Sequence, residues 1–228
     1  MKILIINLKK SIERRQDIEE QLHKLNISNY EFIEAVDGNQ LDDSIIDQKI
    51  SLRILKQMCN RTLPLNMGEA GCMLSHIKAY KRSLELNERC IILEDDCLLT
   101  DSFIGEIEQE LKDEYELVYF GYALNVKGEL GPYISEHDTQ TLDKFCDLTS
   151  SKIILNKFCK IENANIIVYG THAYSPSLSA CKKLLKYNTV IAPSDIFLNI
   201  INLNRYCAIN KLIHPNKLLK SIIGDRSE

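Results

Sequence analysis

The sequence has no excess of positive charge. Its 28 Lys and Arg are outnumbered by 32 Asp and Glu, for a formal charge of -4. That excludes the basic footprint which non-specific contact with nucleic-acid phosphates requires. No apolar run approaches the roughly 20 residues that a bilayer-spanning helix needs. The apolar start, Met1 to Asn7, is cut short by Lys9, Lys10, Glu13, Arg14 and Arg15. No h-region or cleavage site follows, so a secretory leader is not expected and a cytoplasmic location is. None of the 8 cysteines forms a Cys-x-x-Cys pair, so the sequence carries no zinc signature. Scattered singly, they read as reduced, mostly buried small hydrophobes. There is also no internal repeat, low-complexity tract or domain linker. What is left is ordinary globular composition, 45% hydrophobic and 26% charged, enough for one sizeable α/β domain.

The apolar periodicities supply the elements. Lys2 to Asn7 is a continuous isoleucine-rich run and predicts a buried strand. Ser11, a candidate N-cap, opens an amphipathic helix to Leu25. A strand over Tyr30 to Val36 is closed by the turn pair Asp37-Gly38, which completes a β-α-β opening. Leu41 to Arg61 reads as helical. Asn66 to Leu86 is the clearest helix, with Met73, Ile77, Tyr80 and Leu84 in one stripe. Glu69 and His76 fall on that stripe, where polar groups need partners. Cys90 to Glu94 is a strand with an apolar body and an acidic end. Further strands are expected at Glu116 to Gly121, Asn165 to Gly170 and Tyr206 to Ile213. Helices are expected at Ser177 to Tyr187 and Ser194 to Leu203. Tyr122 to Asn163 is irregular and reads as a binding loop or lid. The alternation predicts an α/β fold with a mainly parallel central sheet.

Two segments carry chemistry. Glu94-Asp95-Asp96 puts three carboxylates at the carboxyl end of a buried strand, where open α/β sheets bind ligands. Their mutual repulsion calls for a cation. Mn²⁺ or Mg²⁺, held by one or two carboxylates and by diphosphate oxygens, suits that donor set. Strand alternation puts Glu94 and Asp96 on one side and Asp95 on the other. Asp96 and Glu94 are therefore the candidate metal ligands, and Asp95 is left to meet a ribose or a structural partner. The plain alternative is a solvated strand end before a helix capped by Asp101 or Ser102. In the second segment, Gly68 to His76, the two glycines permit close backbone approach to a ligand. His76 can carry a proton near neutral pH, or it can be a satisfied core histidine.

Taken in order, these segments resemble the family-25 glycosyltransferases. This is the lipooligosaccharide and lipopolysaccharide galactosyltransferase group, related to collagen galactosyltransferases. The matching residues are Ile6-Asn7-Leu8 with Ser11 and Glu13-Arg14-Arg15, then Phe32 with Glu34-Ala35-Val36-Asp37-Gly38. Gly68-Glu69-Ala70-Gly71-Cys72 with Ser75-His76 and Leu93-Glu94-Asp95-Asp96 match more specifically. Gly170-Thr171-His172-Ala173-Tyr174 and Pro193-Ser194-Asp195 follow. The opening departs from the family at Lys9-Lys10, where an acidic-basic pair is usual.

The resemblance implies a GT-A-like, Rossmann-type nucleotide-diphospho-sugar transferase fold over 1–228. Residues 1–121 would form the nucleotide-sugar-binding half, and 122–228 the acceptor side and tail. It implies an inverting enzyme with a UDP-sugar donor, most simply UDP-galactose, and a glycolipid or oligosaccharide acceptor. On this reading Asn7, Leu8, Arg14, Asp37, Gly38, Ser75, Glu94, Asp95 and Thr171 bind the nucleotide sugar. Glu69, His76 and Asp195 are the catalytic candidates. An inverting transfer needs a base across the sugar from the leaving group, and Asp195 suits that place. Ser194-Asp195 is equally a good helix N-cap. Arg14 can pair with a diphosphate or be a surface charge. Lys211, Lys217, Lys220 and Arg226 form a sparse basic set. It suits peripheral contact with an anionic inner-membrane surface or merely a solvated tail. A non-catalytic carbohydrate- or nucleotide-binding module on the same fold is the competing reading. A metal-dependent phosphohydrolase is a weaker one, with no matching nucleophile motif.

Overall fold

The computed structural model describes residues 1–100, 111–128, 153–154, 158–162, 164–187, 189–208 and 213–216. Strand β1 (Ile3–Asn7) leads through helix α1 (Ile12–Lys24) to β2 (Tyr30–Glu34). The chain then makes two 3₁₀ turns (Gly38–Gln40 and Asp43–Ile45) before α2 (Gln48–Cys59) and α3 (Met67–Leu86). Next come β3 (Ile91–Glu94), β4 (Cys97–Leu99), β5 (Leu117–Val126), β6 (Ile153–Ile154), β7 (Phe158–Lys160) and β8 (Ile166–Pro176). Helices α4 (Leu178–Leu184) and α5 (Ser194–Ile200) and strands β9 (Arg205–Ala208) and β10 (Ile213–Pro215) complete the order.

An eight-stranded sheet runs β2-β1-β3-β8-β5-β9-β7-β6, and β4 pairs with β10 beside it. The expected mainly parallel sheet is corrected to a mixed one. β1 is parallel to both β2 and β3, and β5 to β9. β8 runs antiparallel between β3 and β5, and β7 is antiparallel to β9 and to β6. The periodicity of a strand buried on both faces is the same in either direction, so the pattern was silent on this point.

β1 is apolar from Ile3 to Ile6 because helices cover both of its faces. Ile3 and Ile5 pack with Ile18 and Leu22 of α1 and with Leu93 and Phe120. Leu4 and Ile6 point the other way, into a core that holds Met73 and Tyr80 of α3, Cys181 and Leu184 of α4 and Phe197 of α5. Among the described residues all seven cysteines are free thiols, and five of them are buried.

Several boundaries differ from expectation. β5 continues past Gly121 and β8 past Gly170, because register shifts around Gly121 absorb the irregularity instead of ending the strands. Ser11 stands at the N-cap of α1 but makes no side-chain cap bond, and the N-cap of α5 is Pro193 rather than Ser194. Of the segment read as irregular, Tyr122–Val126 belongs to β5, and two short strands, β6 and β7, fall inside it. Asp101, Ser102, Cys146, Lys211, Lys217, Lys220, Ser221 to Ile223 and Arg226 lie outside the described residues.

The topology fixes where a ligand can sit. From β1 the chain moves to β2 on one side and later returns to β3 on the other. Between such strands the connections diverge, and a crevice opens at their carboxyl ends.

Candidate active site

A cleft of about 420 Å³ occupies that crevice. Leu8 and Lys10 line it from beyond β1, Val36 to Asn39 from beyond β2, and Glu94 to Asp96 from the end of β3. Arg14 of α1 and Gly68, Cys72 and Ser75 of α3 complete the wall. The tail of β2 can lie this close to α3 because two glycines meet. A Cβ on Gly38 would stand 2.1 Å from the Met67 carbonyl oxygen, and one on Gly71 would stand 2.7 Å from that of Val36. Gly71 therefore serves the fold rather than a ligand, while Gly68 lines the cleft. Ser75 also braces this contact, accepting from the Val36 amide at 2.8 Å and donating to the Gly71 carbonyl at 2.7 Å.

The three carboxylates part ways. β3 ends at Glu94, and Asp95 and Asp96 form a tight turn into β4. The alternation that would set Glu94 and Asp96 on one side therefore does not extend to Asp96. Asp95 is buried and held at both oxygens: Asn7 Nδ2 donates to Oδ2 at 2.7 Å and an Arg14 guanidinium nitrogen to Oδ1 at 2.8 Å. Burial still raises its pKa, against the pull of Arg14 and Asn7. Of the two roles open to Asp95, the structural partner is the one on view. Arg14 is itself only 7% exposed, so it is not a surface charge.

Asp96 receives a longer contact from the same guanidinium nitrogen, at 3.3 Å. Burial, and then the Glu94 charge beside it, push its carboxyl up to about 7. Glu94 goes the other way. Burial alone would raise it, but the His76 ring and the Thr171 hydroxyl outweigh that and hold it down at about 2. Two close carboxylates with separated titrations are what like-charge repulsion produces in a partly enclosed site. Asp96 offers hard oxygen donors that lack a full counter-charge, which fits a divalent oxygen-preferring ion. Glu94 fits that ion less well, since its Oε1 accepts from Thr171 at 2.7 Å and faces His76 Nε2 at 3.3 Å.

The remaining expected residues divide clearly. Asn7, Leu8, Arg14, Asp37, Gly38 and Ser75 lie on or directly behind the cleft wall. Thr171 of β8 stands behind Glu94 and also contacts Ser194 Oγ at 2.9 Å. His76 is fully buried behind Glu94 and does not line the cleft. Glu69 is elsewhere. Its carboxylate takes a two-pronged pair from Arg61, at 2.6 and 2.9 Å, and closes a capping box with Asn66 at the start of α3. It anchors the helix and is turned away from the cleft. Asp195 lies in the first turn of α5 and accepts from the Ile196 amide at 2.8 Å. It sits within electrostatic reach of Arg61 and Tyr169 and is not part of the cleft wall.

Four contributors were not singled out by sequence. Lys10 lines the cleft and pairs with Asp37 across it, so the Lys9-Lys10 departure supplies a cation there. Cys72 and Ser194, 3.4 Å apart, link α3 to α5. Tyr80 receives a hydrogen bond from Tyr174, which also contacts His76 Nδ1, both at 2.8 Å. Only the position of Cys72, four residues before His76 on one helix face, could have been read in advance.

The family model described as Glycosyltransferase family 25 (LPS biosynthesis protein) matches residues 1–198. A "Glycosyltransferase 25 family member" of Anopheles gambiae is 27% identical over 235 residues, covering 99% of this chain and 34% of that protein. A namesake from Aedes aegypti is 33% identical over 127 residues, covering 52% of this chain and 21% of its own length. Procollagen galactosyltransferase 1-B of Xenopus laevis is 26% identical over 195 residues, with 76% and 32% covered. The chain thus spans no more than about a third of the length of these relatives.

Proposed function

Because this chain belongs to glycosyltransferase family 25, we propose that it is an inverting, UDP-sugar-dependent hexosyltransferase with a GT-A-like nucleotide-binding half. The donor is UDP-galactose, and the acceptor is a saccharide of a bacterial lipooligosaccharide or lipopolysaccharide. The names of the relatives support galactose, and the description of the family model supports the acceptor. The observation that carries the reading is the cleft itself. It lies at the switch between β2 and β3, and the under-compensated acid Asp96 faces into it.

In this reading Leu8, Val36 and Gly38 pack against the nucleotide, and Asp37 holds Lys10 at the rim. Lys10 and Arg14 bring positive charge toward the diphosphate. Asp95, fixed by Asn7 and Arg14, keeps the turn rigid so that Asp96 is presented without reorganisation. A Mn²⁺ or Mg²⁺ ion held by Asp96 supplies neutralisation of charge on the departing UDP. Asp195 is the proposed base, taking the proton of the acceptor hydroxyl as that oxygen attacks the anomeric carbon.

A panel of nucleotide sugars, screened by thermal shift with and without Mn²⁺, tests the reading. UDP-galactose should stabilise the protein, and more so with the ion. If no UDP-sugar binds to the folded, metal-supplied protein, the reading fails. Asp195→Asn should lower kcat while donor affinity holds. An unchanged kcat would remove Asp195 as base. The names of the relatives favour a second acceptor, procollagen. Transfer of radiolabelled galactose to procollagen but not to truncated lipooligosaccharide would decide for it.

A further inference from the structure

Behind the cleft wall, three side chains of different chemistry converge. Cys72 Sγ, His76 Nε2 and a Glu94 carboxylate oxygen all lie within 4.8 Å of one another. Cys72 and His76 are four residues apart on α3, which sets both on one face of the helix. Glu94 reaches them from the end of β3. A tetrahedral ion with bonds of about 2.0–2.3 Å would draw such a set together by a small side-chain adjustment.

The histidine supplies the independent observation. His76 is fully buried, and its Nε2 makes no hydrogen bond among the described residues. The Glu94 oxygen stands 3.3 Å away, within ion-pair reach but without the geometry of a hydrogen bond. The other ring nitrogen is spoken for. The Tyr174 hydroxyl donates to Tyr80, so toward His76 it is an acceptor, and Nδ1 carries the proton that fills that 2.8 Å contact. Nε2 is then left facing a Glu94 carboxylate oxygen without a hydrogen bond of its own, on a buried edge of the ring. A cation lying between the two atoms would give both a partner.

An imidazole whose far N–H is fixed by a hydrogen-bonded partner is how metal-binding histidines are oriented. Here the Tyr174-Tyr80 pair fills that place. Thr171 and Ser194 steady the remaining donors, Thr171 at Glu94 and Ser194 at Cys72. Cys72 and Glu94 both line the cleft as well, which leaves a coordination position open toward it.

We infer that Cys72, His76 and Glu94 form a site for a borderline transition-metal ion of the Zn²⁺ class, distinct from the oxygen-bound ion at Asp96. One thiolate, one imidazole and one carboxylate select Zn²⁺ or Co²⁺ over Mg²⁺ or Mn²⁺, because sulfur and nitrogen donors favour the softer ions. With three protein ligands the ion keeps a fourth position for water or for a group bound in the cleft. The assignment does not depend on the identity of the sugar donor.

Cobalt provides the test, since Co²⁺ bound to a thiolate gives a near-ultraviolet charge-transfer band and tetrahedral Co²⁺ gives intense visible bands. Chelator-treated, folded protein titrated with Co²⁺ should develop both at stoichiometric metal, and Zn²⁺ should displace them. Cys72→Ser should abolish the charge-transfer band, whereas Cys59→Ser and Asp96→Asn should retain it. Tyr174→Phe should weaken Co²⁺ binding by about 10- to 100-fold, as loss of an orienting partner does. If the folded protein develops no band, or the band survives Cys72→Ser, the site is overturned. Retention of the band in Asp96→Asn, whatever happens to transfer, separates this site from the proposed reaction.

Discussion

Two acids, Glu69 in the first turn of α3 and Asp96 in the turn after β3, show opposite electrostatic situations. Glu69 is 1% exposed, yet its charge is fully answered by Arg61 and by the Asn66 amide. Asp96 is more accessible, but it shares Arg14 with Asp95 and stands beside Glu94, so its charge is only partly answered. A buried acid that its own chain neutralises is architecture. One that the chain leaves under-neutralised at the wall of a cleft is poised for a cation from outside. Both acids are site candidates in the sequence, Asp96 as a metal ligand and Glu69 as a catalytic group, and their partners are what separate them.

The comparison can be broken most severely at Asp96. Asp96→Asn should cut turnover of the nucleotide sugar by about 100-fold or more, the scale of losing a principal electrostatic stabiliser, with the circular dichroism spectrum unchanged. Comparable activity in steady-state assays would move the cation elsewhere. At the other acid the loss should be of stability. Arg61→Ala strands the buried Glu69 carboxylate, and denaturant unfolding should register about 3 kcal/mol of destabilisation. If Arg61→Ala instead unfolds with the midpoint of the parent, Glu69 is not the anchor described.

The pH dependence sharpens the contrast. Folding raises the Asp96 pKa from its ordinary 3.8 to about 7, so the native state binds this proton more tightly than the unfolded chain does. Stability is therefore lost as pH rises from about 4 to about 7. In chelator, Asp96→Asn should have the higher Tm at pH 8, and the two proteins should converge below pH 4. Mn²⁺ should narrow the gap at pH 8 by stabilising the native carboxylate. A Tm difference that does not vary with pH would contradict this. The smallest effect belongs to the cap of α3. Asn66→Ala should cost about 1 kcal/mol, measurable as a shift in the urea midpoint.

Much of this was legible without coordinates. The unbroken Ile3 to Ile6 run announced a strand covered on both faces, and the helical stripe through Met73 and Tyr80 announced its cover. The acidic end of β3 announced the cleft. What was not legible shares a cause. Glu69 and His76 are polar groups on an apolar stripe, which says that partners exist but not which ones. Arg61 and Tyr174 proved to be those partners. Strand alternation predicts one side for Glu94 and Asp96, but the chain turns after Glu94, and a run of acids looks the same in a strand and in a turn.

By itself the sequence determined the order of the elements, the residues that must be buried and the acidic rim at the end of β3. These depend on side chains a few positions apart, whose spacing follows the period of a helix or a strand. The tertiary structure alone decided how the carboxylates differ. Insertion of β8 antiparallel between β3 and β5 brings Thr171 to Glu94 across 77 positions and Tyr174 to His76 across 98. The spacing of Cys72 and His76 sets them on one helix face, but only the tertiary structure brings Glu94 to them. Contacts of that separation depend on which strand neighbours which, and local periodicity carries no record of that choice.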